Sequence, residues 1–171
     1  DGHVQPLYGI GLEAALPESV VAQAAGYRGM GPVRVGNQAH EHFQHDVYGS
    51  IVLGAAQSFH DHRLFRRGTA EDLQALERMG DRAWALHDQP DAGIWELRTE
   101  WRPQTFSSLM CWAAADRMAR IAALNSPIDV PEFQSAAALL RAQILQNAVD
   151  PERGCLVADY GGKEVDAALL Q

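Results

Sequence analysis

Residues 42–60 read HFQHDVYGSIVLGAAQSFH, and this stretch decides the fold class. Phe43, Val47, Tyr48, Ile51, Val52, Ala55, Ala56 and Phe59 recur at steps of three and four, the spacing that gathers apolar side chains on one helix face. The spacing predicts one long amphipathic helix from about Asn37 onward. Downstream, Thr69 is a good N-cap with Glu71 and Asp72 in the first turn, and it opens a second helix that carries Leu73, Leu76, Met79, Ala83 and Trp84 inward and runs out near His87. A third helix is predicted over Ser107 to Leu124, with Leu109, Trp112, Ala113 and Ile121 apolar, Trp112 reading as core filler. A fourth follows Pro131, whose fixed φ suits a first helical turn, with Leu139, Leu140, Ile144 and Leu145 marking its buried face. Turn-rich stretches at Gly26 to Gly31, Gly68, Gln89 to Gly93, Ser126-Pro127 and Asp150 to Gly154 separate them. Strand character is confined to a short extended piece at Cys155 to Ala158. The fold class is all-α, with long helices alternating with loops.

Composition narrows the function classes. Of 171 residues, 47% are hydrophobic and 21% charged, the balance of a folded domain rather than a disordered one. Fourteen Lys and Arg stand against 22 Asp and Glu, and the resulting charge of −8 repels phosphate backbones and anionic lipid. Nucleic acid and membrane are therefore not expected partners, and no run reaches the roughly 18–20 apolar residues of a membrane helix. Cys111 and Cys155 lie far apart in sequence and read as free thiols, which favours a reducing, cytoplasmic setting. Beginning at Asp1 rather than Met, the chain reads as an internal piece of a longer protein. Oligomeric state is left open.

The segment from Asp91 to Thr105 concentrates Trp95, Glu96, Arg98, Glu100, Trp101 and Arg102, more aromatic and charged groups than a plain helix connection requires. Other chemistries fit less well. His40, His42 and His45 crowd one helix start, but no two of them stand four apart as in HExxH, so no metal is expected. GYRGMG (Gly26 to Gly31) is neither a dinucleotide fingerprint nor a Walker loop, and no GxSxG or Cys–His arrangement supports a nucleophile. No cofactor is expected.

Four ordered stretches, QPLYGIG (Gln5 to Gly11), GYRGMGPVRVGNQAHEHFQHDVYG (Gly26 to Gly49), DAGIWELR (Asp91 to Arg98) and TFSSLMCWAAADRMARIA (Thr105 to Ala122), resemble bacterial glycoside hydrolase family 15, the glucoamylase and trehalase kind. The resemblance covers nearly the whole chain. It implies part of an (α/α)6 toroid, six helix hairpins whose loops at one end enclose a terminal sugar. Residues 1–171 would then form a single partial catalytic domain, about half of the full barrel. It implies an inverting hydrolase of α-glucosides, in which one carboxylic acid protonates the departing oxygen and a carboxylate on the other sugar face activates water.

By the same resemblance the acid is Glu96, the Glu of GIWE. Ile94 and Trp95 beside it are the kind of apolar neighbours that let a carboxyl keep its proton. Trp95 offers a flat face to a glucose ring and Arg98 a planar donor to hydroxyls or to a carboxylate. Asp46 matches the pocket carboxylate of QxDVYG, with Tyr8, Arg34 and Tyr48 as further lining candidates. Against these stand plainer roles: Glu96 as a solvated loop carboxylate, Trp95 and Trp101 as filler, Arg98 as a structural ion-pair partner, Asp46 as a helix brace.

The family's sugar-holding Arg-Asp motif and its second catalytic Glu are not among these residues, and nothing around Glu100, Glu132 or Glu164 resembles the latter. The 171 residues alone are therefore expected to be inactive. QTFSSLMCW also departs from the HFTHSKxMCW of many relatives, replacing a His and a basic residue of that helix start, so the resemblance does not fix substrate preference. Glucoamylase-like cleavage of maltooligosaccharides is the first expectation and trehalose cleavage the second. A helical scaffold that has lost hydrolysis is the alternative from another class.

Overall fold

The computed structural model describes residues 3–125 and 129–170, which fall into two compact units, Gln5–Phe43 and Asp1–Val4 with Gln44–Gln171. In the smaller unit, strands β1 (Ser19–Val20) and β2 (Arg34–Val35) pair antiparallel with Ser19 opposite Val35. Neither strand was signalled by alternation, because two residues are too short to show a period. The Arg34 guanidinium reaches Glu18 at 3.0 Å beside this pair.

The helix expected from Asn37 is not continuous. The Asn37 side chain accepts a hydrogen bond from the Ala39 N–H, opening a single 3₁₀ turn over Gln38–Glu41 that ends at an extended His42. Helix α1 (Asp46–His60) begins four residues later.

In the larger unit, α1 is followed by α2 (Ala70–Leu86), α3 (Thr105–Asn125) and α4 (Val130–Asn147). The start of α2 is as expected from Thr69, which forms a capping box: its hydroxyl accepts from the Asp72 N–H while the Asp72 carboxylate accepts from the Thr69 N–H. Central helix α3 packs against α1, α2 and α4. Its alanines at 113, 114, 115, 119 and 122 are all buried, and their small side chains let three neighbours approach one helix. Tyr48, Val52, Phe59, Leu76, Met118 and Ile121 fill the space between.

On α2 and α4 three residues expected inward lie outside: Trp84, Leu139 and Leu145 are exposed, as is Phe43 ahead of α1. Their helices carry apolar stripes wider than α3 covers, and Trp84 and Leu139 instead line a groove with Phe133 and Ala136. Trp112 is half-buried. The short extended piece is present as β4 (Cys155–Leu156), paired with β3 (Val149–Asp150). Both cysteines are free, Cys111 buried. Among the described residues there are two helix hairpins, α1/α2 and α3/α4, where half a toroid would hold three; residues 5–43 form short strands and 3₁₀ turns but no α-helix. No helix among the described residues is long and apolar enough to cross a membrane.

Candidate active site

The aromatic and acidic segment between α2 and α3 is a closed loop. Its neck is formed by Asp91, whose N–H donates to the Arg102 carbonyl at 3.3 Å. Just beyond it the chain is stitched to the segment after β4, Thr105 N–H to the Ala158 carbonyl at 2.9 Å and Tyr160 N–H to the Pro103 carbonyl at 3.0 Å.

At the tip, Leu97 N–H donates to the Ala92 carbonyl (2.9 Å) and Glu96 N–H to the Gly93 carbonyl (3.1 Å). These are the two nested bonds of a Schellman turn, and they place Glu96 at its left-handed position with φ 55°. Glycine normally occupies that position; a Glu there is a local rule broken at a candidate site. Gly93 is fixed by a second constraint, since at φ 64° an added Cβ would lie 2.9 Å from Gln104 Cγ.

The turn sends Glu96 outward, with Ile94 and Trp95 also exposed. The apolar enclosure expected around the carboxyl is therefore not built by its two sequence neighbours. Trp95 is 55% exposed yet anchored, its indole N–H donating to Asp166 at 3.2 Å. Trp101 is half-buried and braces the loop from within, donating to the Leu97 carbonyl at 2.8 Å. Arg98 is exposed on the same loop.

Beneath the loop lies a buried acidic pair that sequence reading found only in part. Asp91 has no exposed surface. Its Oδ2 accepts from the His45 N–H at 2.8 Å, just before α1, and from the Ser107 hydroxyl at 2.7 Å, in the first turn of α3. Burial raises its pKa above the usual carboxylate range, and the bonds from Ser107 and His45 hold it partly down. The first residue of α1, Asp46, is 8% exposed, with Oδ1 lacking any hydrogen-bond partner. Burial first and the Asp91 charge second push its pKa up to about 6. Burial likewise pushes the Cys111 thiol well above its usual range, so it is not a nucleophile, and holds the His45 imidazole low.

Asp46 thus belongs to the foundation of the loop, and Tyr48 is core, 2% exposed with the Arg82 guanidinium over its ring. Tyr8 and Arg34 belong to the smaller unit, where the Tyr8 hydroxyl accepts from the Gln5 N–H and Arg34 pairs with Glu18. The missed residue is Asp91. Its signal was a carboxylate at the neck of a loop otherwise read for its tip.

A stability prediction follows from Asp46. Its raised pKa means the unfolded chain ionises more easily, so folding is penalised increasingly from about pH 4 and fully above about pH 6. The penalty is on the order of 2–3 kcal/mol for a shift of this size. Asp46→Asn is expected to melt several degrees higher than the unmodified protein at pH 8 and at the same temperature near pH 4. Equal melting curves at both pH values would remove the buried charge from the account.

Two helix hairpins with a carboxylate- and tryptophan-bearing loop between them agree with the partial toroid that the sequence resemblance implies. Residues 14–171 match the family described as "Glycosyl hydrolases family 15", and the chain belongs to that family. It is similar to a trehalase of Mycobacterium tuberculosis (37% identity, 98% of this chain, 24% of the relative) and one of Thermoplasma volcanium (32%, 100% of this chain, 27% of the relative). Among solved structures it is similar to a glycosidase Glu-to-Ala variant in complex with glucose, with TM-score 0.58 and 27% identity over 82% of this chain and 38% of that one. The chain therefore spans about a quarter of the length of these curated relatives. The all-α, partial-toroid fold expected from sequence is the fold found.

Proposed function

We propose that the protein hydrolyses an α-linked glucoside with inversion, that Glu96 is the general acid, and that trehalose is its first substrate. The observation that carries the role of Glu96 is its position: an exposed carboxyl at the tip of a loop pinned at neck and tip, in a backbone conformation that costs energy for any residue but glycine. Next to it in the chain, the exposed indole of Trp95 suits the C–H face of a sugar ring. Arg98 is a donor to the hydroxyls, and Ile94 narrows the approach. Asp46 acts from beneath, and Tyr48 supports it from the core.

Trehalose is placed ahead of maltooligosaccharides because the relatives above are named trehalases, which reverses the order the sequence alone suggested. In the reaction the Glu96 proton passes to the bridging oxygen as the C1–O bond breaks. Water deprotonated by a second carboxylate attacks C1 from the opposite face. That base is assigned outside these 171 residues, since no Glu here sits in the family's second catalytic motif.

The test uses the intact protein on trehalose, on maltotetraose and on α-glucosyl fluoride, whose leaving group needs no proton. Glu96→Gln is expected to lose about a hundredfold or more on the two sugars and less than about tenfold on the fluoride. Native activity on all three would make Glu96 structural. Equal loss on all three would point to a positioning role, and activity on maltotetraose alone would restore the glucoamylase reading.

A further inference from the structure

We infer that Asp91 is a positioning residue for catalysis, tying the neck of the Glu96 loop to the starts of α1 and α3 through one buried carboxylate. The inference rests on Glu96 being the general acid. Its support is geometric. A single oxygen, Asp91 Oδ2, accepts from the His45 N–H at 2.8 Å and the Ser107 hydroxyl at 2.7 Å, while the Asp91 backbone closes the loop on Arg102. Three segments distant in sequence thus meet at one side chain with no exposed surface.

Both donors lie at helix starts, His45 just before α1 and Ser107 in the first turn of α3, so the one oxygen joins two helix N-termini. The lever is short. From Asp91, two residues lead to Gly93, which is pressed against Gln104, and three more to Glu96 inside the Ala92–Leu97 turn. Each joint is fixed by a hydrogen bond or a close contact, so a shift at Asp91 passes along the backbone to Glu96. A general acid must meet the leaving oxygen within hydrogen-bond reach, and displacement by about 1 Å is enough to cost on the order of a hundredfold in rate.

Asp91 also separates two otherwise similar roles. A carboxylate that only stabilised the fold would, when removed, leave the folded fraction with native turnover. A positioning residue would lower kcat in molecules that remain folded, leave KM nearly unchanged because Trp95 and Arg98 still bind sugar, and be rescued by Asn, whose amide oxygen can accept from both donors.

The experiment measures kcat and KM on trehalose per folded molecule, with hydrogen exchange over residues 92–101 and over α1–α4, for Asp91→Ala, Asp91→Asn and Ser107→Ala in the intact protein. Expected for Asp91→Ala are a loss of about a hundredfold in kcat, KM within about threefold, and faster exchange confined to the loop. Asp91→Asn should return to within about tenfold of native kcat. Ser107→Ala, which removes one of the two bonds, should lose about three- to tenfold and still fold, so it decides the matter if Asp91→Ala does not.

Native kcat in the folded fraction, or exchange that rises equally throughout the helices, overturns the inference. Should Glu96→Gln prove fully active, the functional reading fails, and loop exchange alone then decides the tether: opening confined to residues 92–101 upholds it, and an unchanged loop overturns it.

Discussion

Replacing Gly49 by alanine is expected to lower the melting temperature by about 10 °C, whereas the same substitution at Gly54, five residues along the same helix, is expected to raise it. At Gly49 the new Cβ would lie 2.1 Å from the Met110 carbonyl oxygen and 2.4 Å from its carbon, both backbone atoms of α3. No rotamer change relieves that contact; α1 and α3 must separate. Overpacking typically costs about 1–3 kcal/mol, and a clash between two backbones belongs at or above the upper end. At roughly 2–4 °C per kcal/mol for a chain of this size, about 3 kcal/mol is a loss near 10 °C.

At Gly54 nothing lies within 4 Å of the added carbon, and alanine there gains close to 1 kcal/mol of helix propensity. Thermal denaturation of both variants checks the pair. Similar shifts of either sign would mean that α1 and α3 do not pack as closely as described. The glycine that matters is the third residue of DVYG after Asp46, so a family motif read for its carboxylate also encodes the closest approach of two helices.

What the sequence discloses depends on whether the deciding interaction is local. The start of α2 was legible because a cap is made by residues three apart, and Thr69 with Asp72 contains all of it. The start of α1 was not. The apolar spacing runs on through Phe43, but the His45 N–H is taken by Asp91, 46 residues away, and an extended His42 intervenes. Trp84 and Leu139 obey the helical period yet lie outside, since periodicity marks an apolar face and not what covers it. At the site the division is the same. The loop tip could be singled out because it is a compact cluster of aromatic and charged residues, and the resemblance to the GIWE motif is what points to Glu96 within it. Asp91 was overlooked because its partners arrive from two helix starts that only the fold brings together.

The last prediction separates the backbone of Glu96 from its carboxyl. At φ 55° a residue with a Cβ is disfavoured by about 1–2 kcal/mol, and glycine removes that cost while regaining some freedom in the unfolded chain. Glu96→Ala deletes the carboxyl and keeps the strain; Glu96→Gly deletes both. Glu96→Gly is therefore expected to be more stable than Glu96→Ala by about 1 kcal/mol, while both lose about a hundredfold or more of trehalose hydrolysis.

The comparison cancels the side-chain contacts that any truncation removes, so denaturant midpoints of the two variants read the backbone alone. Equal midpoints would mean that the turn relaxes once Glu96 is gone, and that the left-handed geometry is imposed by the side chain. A Glu96→Gly variant that kept its turnover would remove Glu96 from the chemistry altogether. If the expected result is found, the family's acid occupies a position where glycine would fold better, and the stability given up there is the cost of pointing a carboxyl at the leaving oxygen.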